Sequence, residues 1–276
     1  LHTLPFSSAY VFVVNYGLSR LFCQAWNGRG AVFLLLPFLF RGFVVRYPKT
    51  PLAALSGFGA GKEVLPALKY RFACDCHNHS RCSFDGSDSV LEMRQRAQEL
   101  GLWAHTLTDH CECQNFPDRY RPPGGDGLCE MSLQVPQGGR TRFYKGIELG
   151  QPNQDPDSAA LALEGRDYDF VIGSIHNIRG YEDFFYLDYS QVEPGFIDAL
   201  LTTYWEEERE VIAWGQFDAL GHLTYLRYIE GDHGIPVDLS KHQEAIDGIF
   251  RALIDSGKAL EVNTSGLRQK IGRALP

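Results

Sequence analysis

The sequence predicts an α/β protein built as a β/α barrel, and three observations point there. First, a short apolar strand, a polar residue of ligand type and a helix follow one another at least six times after residue 70. Second, the histidines and carboxylates collect at the carboxyl ends of these strands. A β/α barrel gathers its site there from many strands, whereas an open doubly wound sheet uses mainly one crevice. Here almost every strand contributes, which favours the closed form. Third, neither G-x-G-x-x-G nor G-x-x-x-x-G-K-[ST] occurs, so no Gly-rich phosphate loop is expected.

The elements follow in order. Tyr70–Ala73 is an apolar approach to Cys74–Gly86, C-D-C-H-N-H-S-R-C-S-F-D-G. His77 and His79, two apart at a strand end, share a face, and Asp85 can fold back over the same point. Alone, H-x-H also suits a polar turn. Ser89 and Glu92 form a capping box, and Val90, Met93, Ala97 and Leu100 recur at helical spacing before Gly101. Leu102–Thr108 is a buried strand ending in Thr108-Asp109-His110. The span 114–139 is a Pro- and Gly-rich connection. Arg142–Ile147 is a strand ending at Glu148, and 155–163 a short helix. Asp169–Ile172 leads to Gly173-Ser174-Ile175-His176. A helix over 191–205 runs into Glu206–Glu208, read as a solvated face. Phe217–Leu220 ends in Gly221-His222. A helix starts at Ser240 and stops at Gly257, and the strand Ala259–Val262 follows.

Length and composition bound the function. The 276 residues suffice for one sizeable domain, alone or with an appendage. A formal charge of −8 without a basic block gives no nucleic-acid footprint. The seven cysteines are an odd number in a chain too long to need a disulfide framework, so reduced thiols in the cytoplasm fit. Cys74/Cys76 and Cys111/Cys113 are C-x-C pairs, not the spacing usual for structural zinc. Residues 1–69 carry one acidic residue, Glu63, and no site residues. Their apolar run Ala31–Phe40 is too short to span a bilayer. They read as an extension or linker outside the catalytic domain, from a misplaced start or an incomplete reading frame, with a hydrophobic anchor as the alternative. No membrane partner is expected.

His77, His79, Asp85, His110, Glu148, His176 and His222 exceed the need of one tetrahedral zinc. They suit two or three divalent ions, with Glu148 or Asp85 bridging, and their mixed ligation allows Zn, Mn or Fe. Asp109 is placed to orient a ligand or accept a proton. Arg179 and Arg268, just past strand ends, are candidates to pair with phosphate or are plain surface arginines. His105 reads as structural and His242 as exposed.

H-N-H-S, T-D-H at 108–110, G-I-E at 146–148, G-S-I-H at 173–176, F-D-A-L-G-H at 217–222 and E-V-N-T-S-G at 261–266 together resemble the polymerase and histidinol phosphatase (PHP) superfamily, and within it the histidinol-phosphatases. The resemblance covers 73–276. It implies a distorted (β/α)7 TIM-like barrel over 70–276 with a non-barrel amino-terminal extension. It also implies a multinuclear centre in which His77, His79, His110, Glu148, His176 and His222 bind metal. Asp85 stands where many relatives have a histidine. The activity implied is hydrolysis of a small-molecule phosphomonoester, L-histidinol phosphate to L-histidinol and phosphate in histidine biosynthesis. Another small phosphate ester or nucleotide is the alternative. The family's final D-x-H is not found before Pro276, so a barrel incomplete at its carboxyl end is expected, with an inactive truncated metal-binding protein as a further alternative.

Overall fold

A curled parallel sheet orders the chain. The computed structural model describes residues 74–116, 139–193 and 195–275, and the backbone of three short strands before them: β1 (Tyr10–Val14), β2 (Trp26–Asn27) and β3 (Ala31–Val32). The strands and helices that follow are β4 (Cys74–Asp75), α1 (Val90–Leu100), β5 (Ala104–Leu107), β6 (His110–Glu112), β7 (Arg142–Gly150), α2 (Pro156–Leu163), β8 (Phe170–Ser174), α3 (Phe196–Trp214), β9 (Ala219–Leu220), α4 (Tyr228–Asp232), α5 (Gln243–Ser256) and β10 (Ala259–Asn263). The main sheet runs β1-β10-β9-β8-β7-β5-β4, with every neighbouring pair parallel. From β4 to β10 spatial order follows sequence order, as in a β/α barrel that has curled without closing on its own first strand. β1 pairs with β10 from Tyr10↔Ala259 to Val14↔Asn263, and β2 and β3 form an antiparallel pair. The other expectations for 1–69, and residues 117–138 of the long connection, lie outside the described residues.

Local chemistry sets the helix ends. Ser89 caps α1 with the reciprocal Glu92 bond that the sequence predicts, and Gly101 closes it at φ 71°. Asp155 caps α2 through the Ser158 amide. The predicted start at Ser240 becomes a 3₁₀ turn, Leu239–His242, leading into α5.

Three readings change. The helix expected over 191–205 is α3, and it continues to Trp214, where Gly215 ends it at φ 75°. The added turns bring Glu207 and Glu208 onto its buried face, so only Glu206 of that run is solvated. His242 is mostly covered, near Trp205 and Asp198. Among the described cysteines Cys74, Cys76, Cys111 and Cys113 are in no disulfide, but Cys82 is disulfide-bonded, against the expectation of reduced thiols throughout.

The largest core cluster joins α3 (Leu201, Tyr204, Val211) and α5 (Ile249, Leu253) to Phe217 and Leu220 beside and within β9. A second packs Ile147 and Leu149 of β7 on Ala159 and Ala162 of α2. Burying such side chains contributes roughly 1.5–3 kcal/mol each and fixes the strands whose ends carry the polar residues. No helix among the described residues is long and apolar enough to cross a membrane.

Candidate metal centre

Most of the predicted ligands come from the carboxyl end of a strand or the turn just past it, whereas Asp85 comes from the loop after β4 and His110 opens β6. β4 stops at Asp75, and Asn78 then bonds across to the β5 side. Its amide N–H donates to Thr108 Oγ1 at 3.1 Å and its side chain to the Thr106 carbonyl at 2.8 Å. This crossing interrupts β5 at Thr108–Asp109, and β6 resumes on the same neighbour, with His110 opposite Glu148 in register. Asp109 is buried, and its Oδ1 accepts from the Ser80 amide (2.7 Å) and Ser83 Oγ (2.7 Å), its Oδ2 from Ser80 Oγ (2.8 Å). Ser83 Oγ also receives the His110 amide at 2.9 Å. The loop Ser80–Gly86 is thereby fastened above β6. Its return needs Gly86, where a Cβ would overlap the Ser80 carbonyl and lie 2.9 Å from that of His79.

At the centre is Glu148, fully buried on β7. Its Oε2 lies 3.1 Å from His77 Nε2, 3.1 Å from His79 Nε2 and 3.2 Å from His110 Nδ1. Its Oε1 lies 3.2 Å from His176 Nε2 and 3.0 Å from His222 Nε2. One carboxylate thus separates two groups of imidazoles, one on each oxygen. Asp85 closes the outer side, 3.0 Å from His79 Nδ1 and 3.7 Å from His110 Nε2. All seven predicted residues meet here. Four triads have ligand atoms within 4.8 Å of one another: His77–His79–Glu148, His79–Asp85–His110, His110–Glu112–His176 and Glu148–His176–His222.

Two carboxylates stand behind the histidines. Glu261, buried on β10, accepts from His77 Nδ1 (2.8 Å), the His222 amide (2.6 Å) and Asn263 Nδ2 (3.1 Å). Glu112 on β6 lies 3.0 Å from both His110 Nδ1 and His176 Nδ1. Neither was singled out from the sequence as a site residue. Their signal was the two-residue period of a strand, which puts Glu112 on the face of His110.

The charges are strongly coupled. Burial works against a charged His77, but Glu261 and Glu148 outweigh it and raise its pKa well above the ordinary value. His176 is raised likewise, against its burial, by Glu112 and Glu148. His110, against its own burial, is pushed up to about 9 mainly by Glu148 and Asp85. Glu148 is held well below the carboxylate range, against its burial, by His77, His110 and His176. At His222 burial wins and the pKa falls.

The donor set fits divalent cations. Glu148 Oε2 is buried within 3.2 Å of three ring nitrogens, yet no N–H is aimed at it with hydrogen-bond geometry. These groups converge on shared points rather than on one another, and imidazole with carboxylate suits Zn, Mn or Fe. Glu261 behind His77 completes the carboxylate–histidine pairing that orients metal ligands.

The remaining candidates fall elsewhere. Arg179 is half-exposed, and its guanidinium meets Glu210 at 2.6 Å, Glu207 at 3.8 Å and the Asn153 carbonyl at 3.0 Å. Arg268 is exposed past β10, where its charge is felt by Asp75. His105 lies buried in β5, kept neutral with a pKa near 3 by burial and by Arg94.

A curled β/α sheet with histidines and carboxylates converging at its strand ends defines a candidate multinuclear metal centre. The PHP domain matches residues 75–265, and the chain belongs to that family. Among curated proteins it is 26% identical over 196 residues to one named "Probable histidinol-phosphatase" from Thermotoga maritima, covering 70% of each chain. It is 23% identical over 205 residues to a "Histidinol-phosphatase" from Lactococcus lactis subsp. lactis, covering 69% of this chain and 71% of the other. The fold is similar to the crystal structure of histidinol phosphate phosphatase from that organism, complexed with zinc, L-histidinol and phosphate. The TM-score is 0.51 at 22% identity, over 69% of this chain and 72% of that one.

Proposed function

We propose that the protein hydrolyses L-histidinol phosphate to L-histidinol and phosphate, with two or three divalent ions drawn from Zn, Mn and Fe. The observation that carries the substrate is the cleft beside the centre. It encloses about 300 Å³, and Phe84, Glu112, Tyr181, Glu182, Asp183 and Tyr186 are among its lining. The described lining holds carboxylates and aromatic rings and no basic side chain. Such a wall attracts an organic cation, through charge and through ring faces. The leaving group of histidinol phosphate carries an ammonium and an imidazole. The names of the relatives support the same substrate.

When bound, the divalent ions lower the pKa of a water and hold phosphoryl oxygens. The chain's own residues do the rest. His77, His79 and Glu148 Oε2 would hold one ion, and His176, His222 and Glu148 Oε1 a second, with Asp85 and His110 available at the outer side. Glu261 fixes His77 and His222 from behind. Asp109 acts through the Ser80–Gly86 loop, keeping His110 and Asp85 in place, since its oxygens are taken by that loop. Arg179 ties the loop after β8 to α3.

Phosphate release from L-histidinol phosphate, compared with glycerol phosphate and nucleoside monophosphates at saturating Mn or Zn, tests this reading. The expected result is a kcat/KM for histidinol phosphate at least about 100-fold above the neutral or anionic esters, roughly 2.7 kcal/mol of discrimination. A nucleotide preference would overturn it.

A further inference from the structure

Glu112 belongs to no motif in the resemblance, yet its seat is built from several parts. It is nearly buried on β6, and β7 presents Gly150 directly opposite in register. A Cβ at Gly150 would overlap Glu112 Oε2 and lie 2.7 Å from its Cδ, so the strand leaves a cradle for this carboxylate. The next residue, Gln151, is fully buried at φ 51°, in the left-handed region that non-glycine residues seldom adopt. With its amide oriented to satisfy both ends, Gln151 donates to Glu112 Oε2 at 2.6 Å and accepts from the His176 amide at 2.7 Å and the Asn177 amide at 3.0 Å. Backbone strain of this kind persists where surrounding contacts over-determine it. The contacts here hold Glu112 and the backbone of His176 together.

Oε1 faces inward. His176 Nδ1 donates to it at 3.0 Å, and His110 Nδ1 lies at the same distance. His110 belongs with Asp85 at the outer end of the centre, and His176 with His222 on the inner oxygen of Glu148. A neutral imidazole has one N–H. When Glu112 takes the Nδ1–H of His176, the Nε2 lone pair is left facing Glu148 and His222.

We propose that Glu112 is a positioning residue that fixes the tautomer of His176 and, through its second contact with His110, couples metal binding at the two ends of the centre. The inference rests on the metal-centre reading and goes beyond it. Loss of such a partner typically weakens metal affinity 10–100-fold.

The experiment measures chelator-competition isotherms for Mn and Zn on the full chain and on Glu112→Gln, Glu112→Asp and the exposed control Glu99→Gln. Melting of each chelator-treated protein is measured alongside. The expected result is affinity lower by about 10-fold or more for Gln at more than one bound equivalent, an intermediate loss for Asp, and none for the control. Metal-free melting should stay within a few degrees of the parent. Parent-like isotherms for Glu112→Gln would overturn the proposal while leaving the centre intact. Equal falls in metal-free melting and affinity in both variants would assign Glu112 a structural role and also overturn it. A parent chain that binds neither ion would remove the metal centre itself, and the proposal with it.

Discussion

Asp109 shows how one residue can matter to the chemistry without facing it. Three donors from Ser80 and Ser83 end on its carboxylate. Asp109→Ala strands them in a buried place, and the expected cost is about 1.5–3 kcal/mol of stability. Because Ser83 also receives the His110 amide, metal affinity should fall as well. Denaturant melts with and without metal check both. The histidines make a second prediction. His110, raised to about 9 chiefly by Glu148 and Asp85 against its burial, stabilises the metal-free fold fully below about pH 6.5, and that support is lost as pH rises to 9. Metal affinity runs the other way, because ligating imidazoles must shed their protons. Melting in chelator should therefore drop from pH 6.5 to 9, while the rise on adding Mn should grow. Most of the predicted ligands were legible in the sequence, since His77, His176 and His222 fall two residues past a strand, Glu148 lies near the end of β7, His79 completes H-x-H with His77, and His110 opens the short β6. Glu112 and Glu261 were not, because a single carboxylate on a strand has many ordinary uses. Their meaning comes from the facing histidines, which only the folded sheet supplies.

At the scale of elements, α3 departs most from its sequence reading. A run of three glutamates reads as solvent-facing, but the helix continues to Gly215 and turns two of them inward. Glu207 is satisfied there, accepting from the Arg179 amide at 2.7 Å and Gln154 Nε2 at 2.6 Å. Glu208 is fully buried beside Tyr204, and burial pushes its pKa up to about 8. An acid with a raised folded pKa costs stability as pH rises from its ordinary value near 4.5 to 8, because the unfolded chain ionises first. Glu208→Gln removes that cost. It should raise stability by on the order of 1–3 kcal/mol at pH 7.5, with the gain vanishing near pH 4. Melting at the two pH values decides it. No stabilisation at pH 7.5 would mean that the carboxyl finds a partner that an amide cannot replace. The alternation of strands and helices was readable because helical and strand periods differ, and Ser89, Gly101 and Gly257 mark ends by their own chemistry. The length of α3 was not, since its terminal turns are charged and gain their place only by packing.

For the whole molecule, the centre joins β4, β6, β7, the turns after β8 and β9, and, through Glu261, β10. Six strands carry buried charge to one place, and their curl brings the ends together. Glu148 is the shared member of that assembly, and its two oxygens divide the histidines into two groups. On the proposed reading such a carboxylate would tie two ions into a unit, and catalysis would require both. The direct measurement is a titration of metal-free protein with Mn or Zn that records bound metal and phosphate release from L-histidinol phosphate together, for the parent chain and Glu148→Gln. The account predicts little turnover at the first equivalent and a steep rise as the second binds. It predicts loss of at least about 100-fold in turnover, together with loss of metal, in Glu148→Gln. Full turnover in chelator, or a Glu148→Gln protein that binds two ions and turns over like the parent, would contradict it.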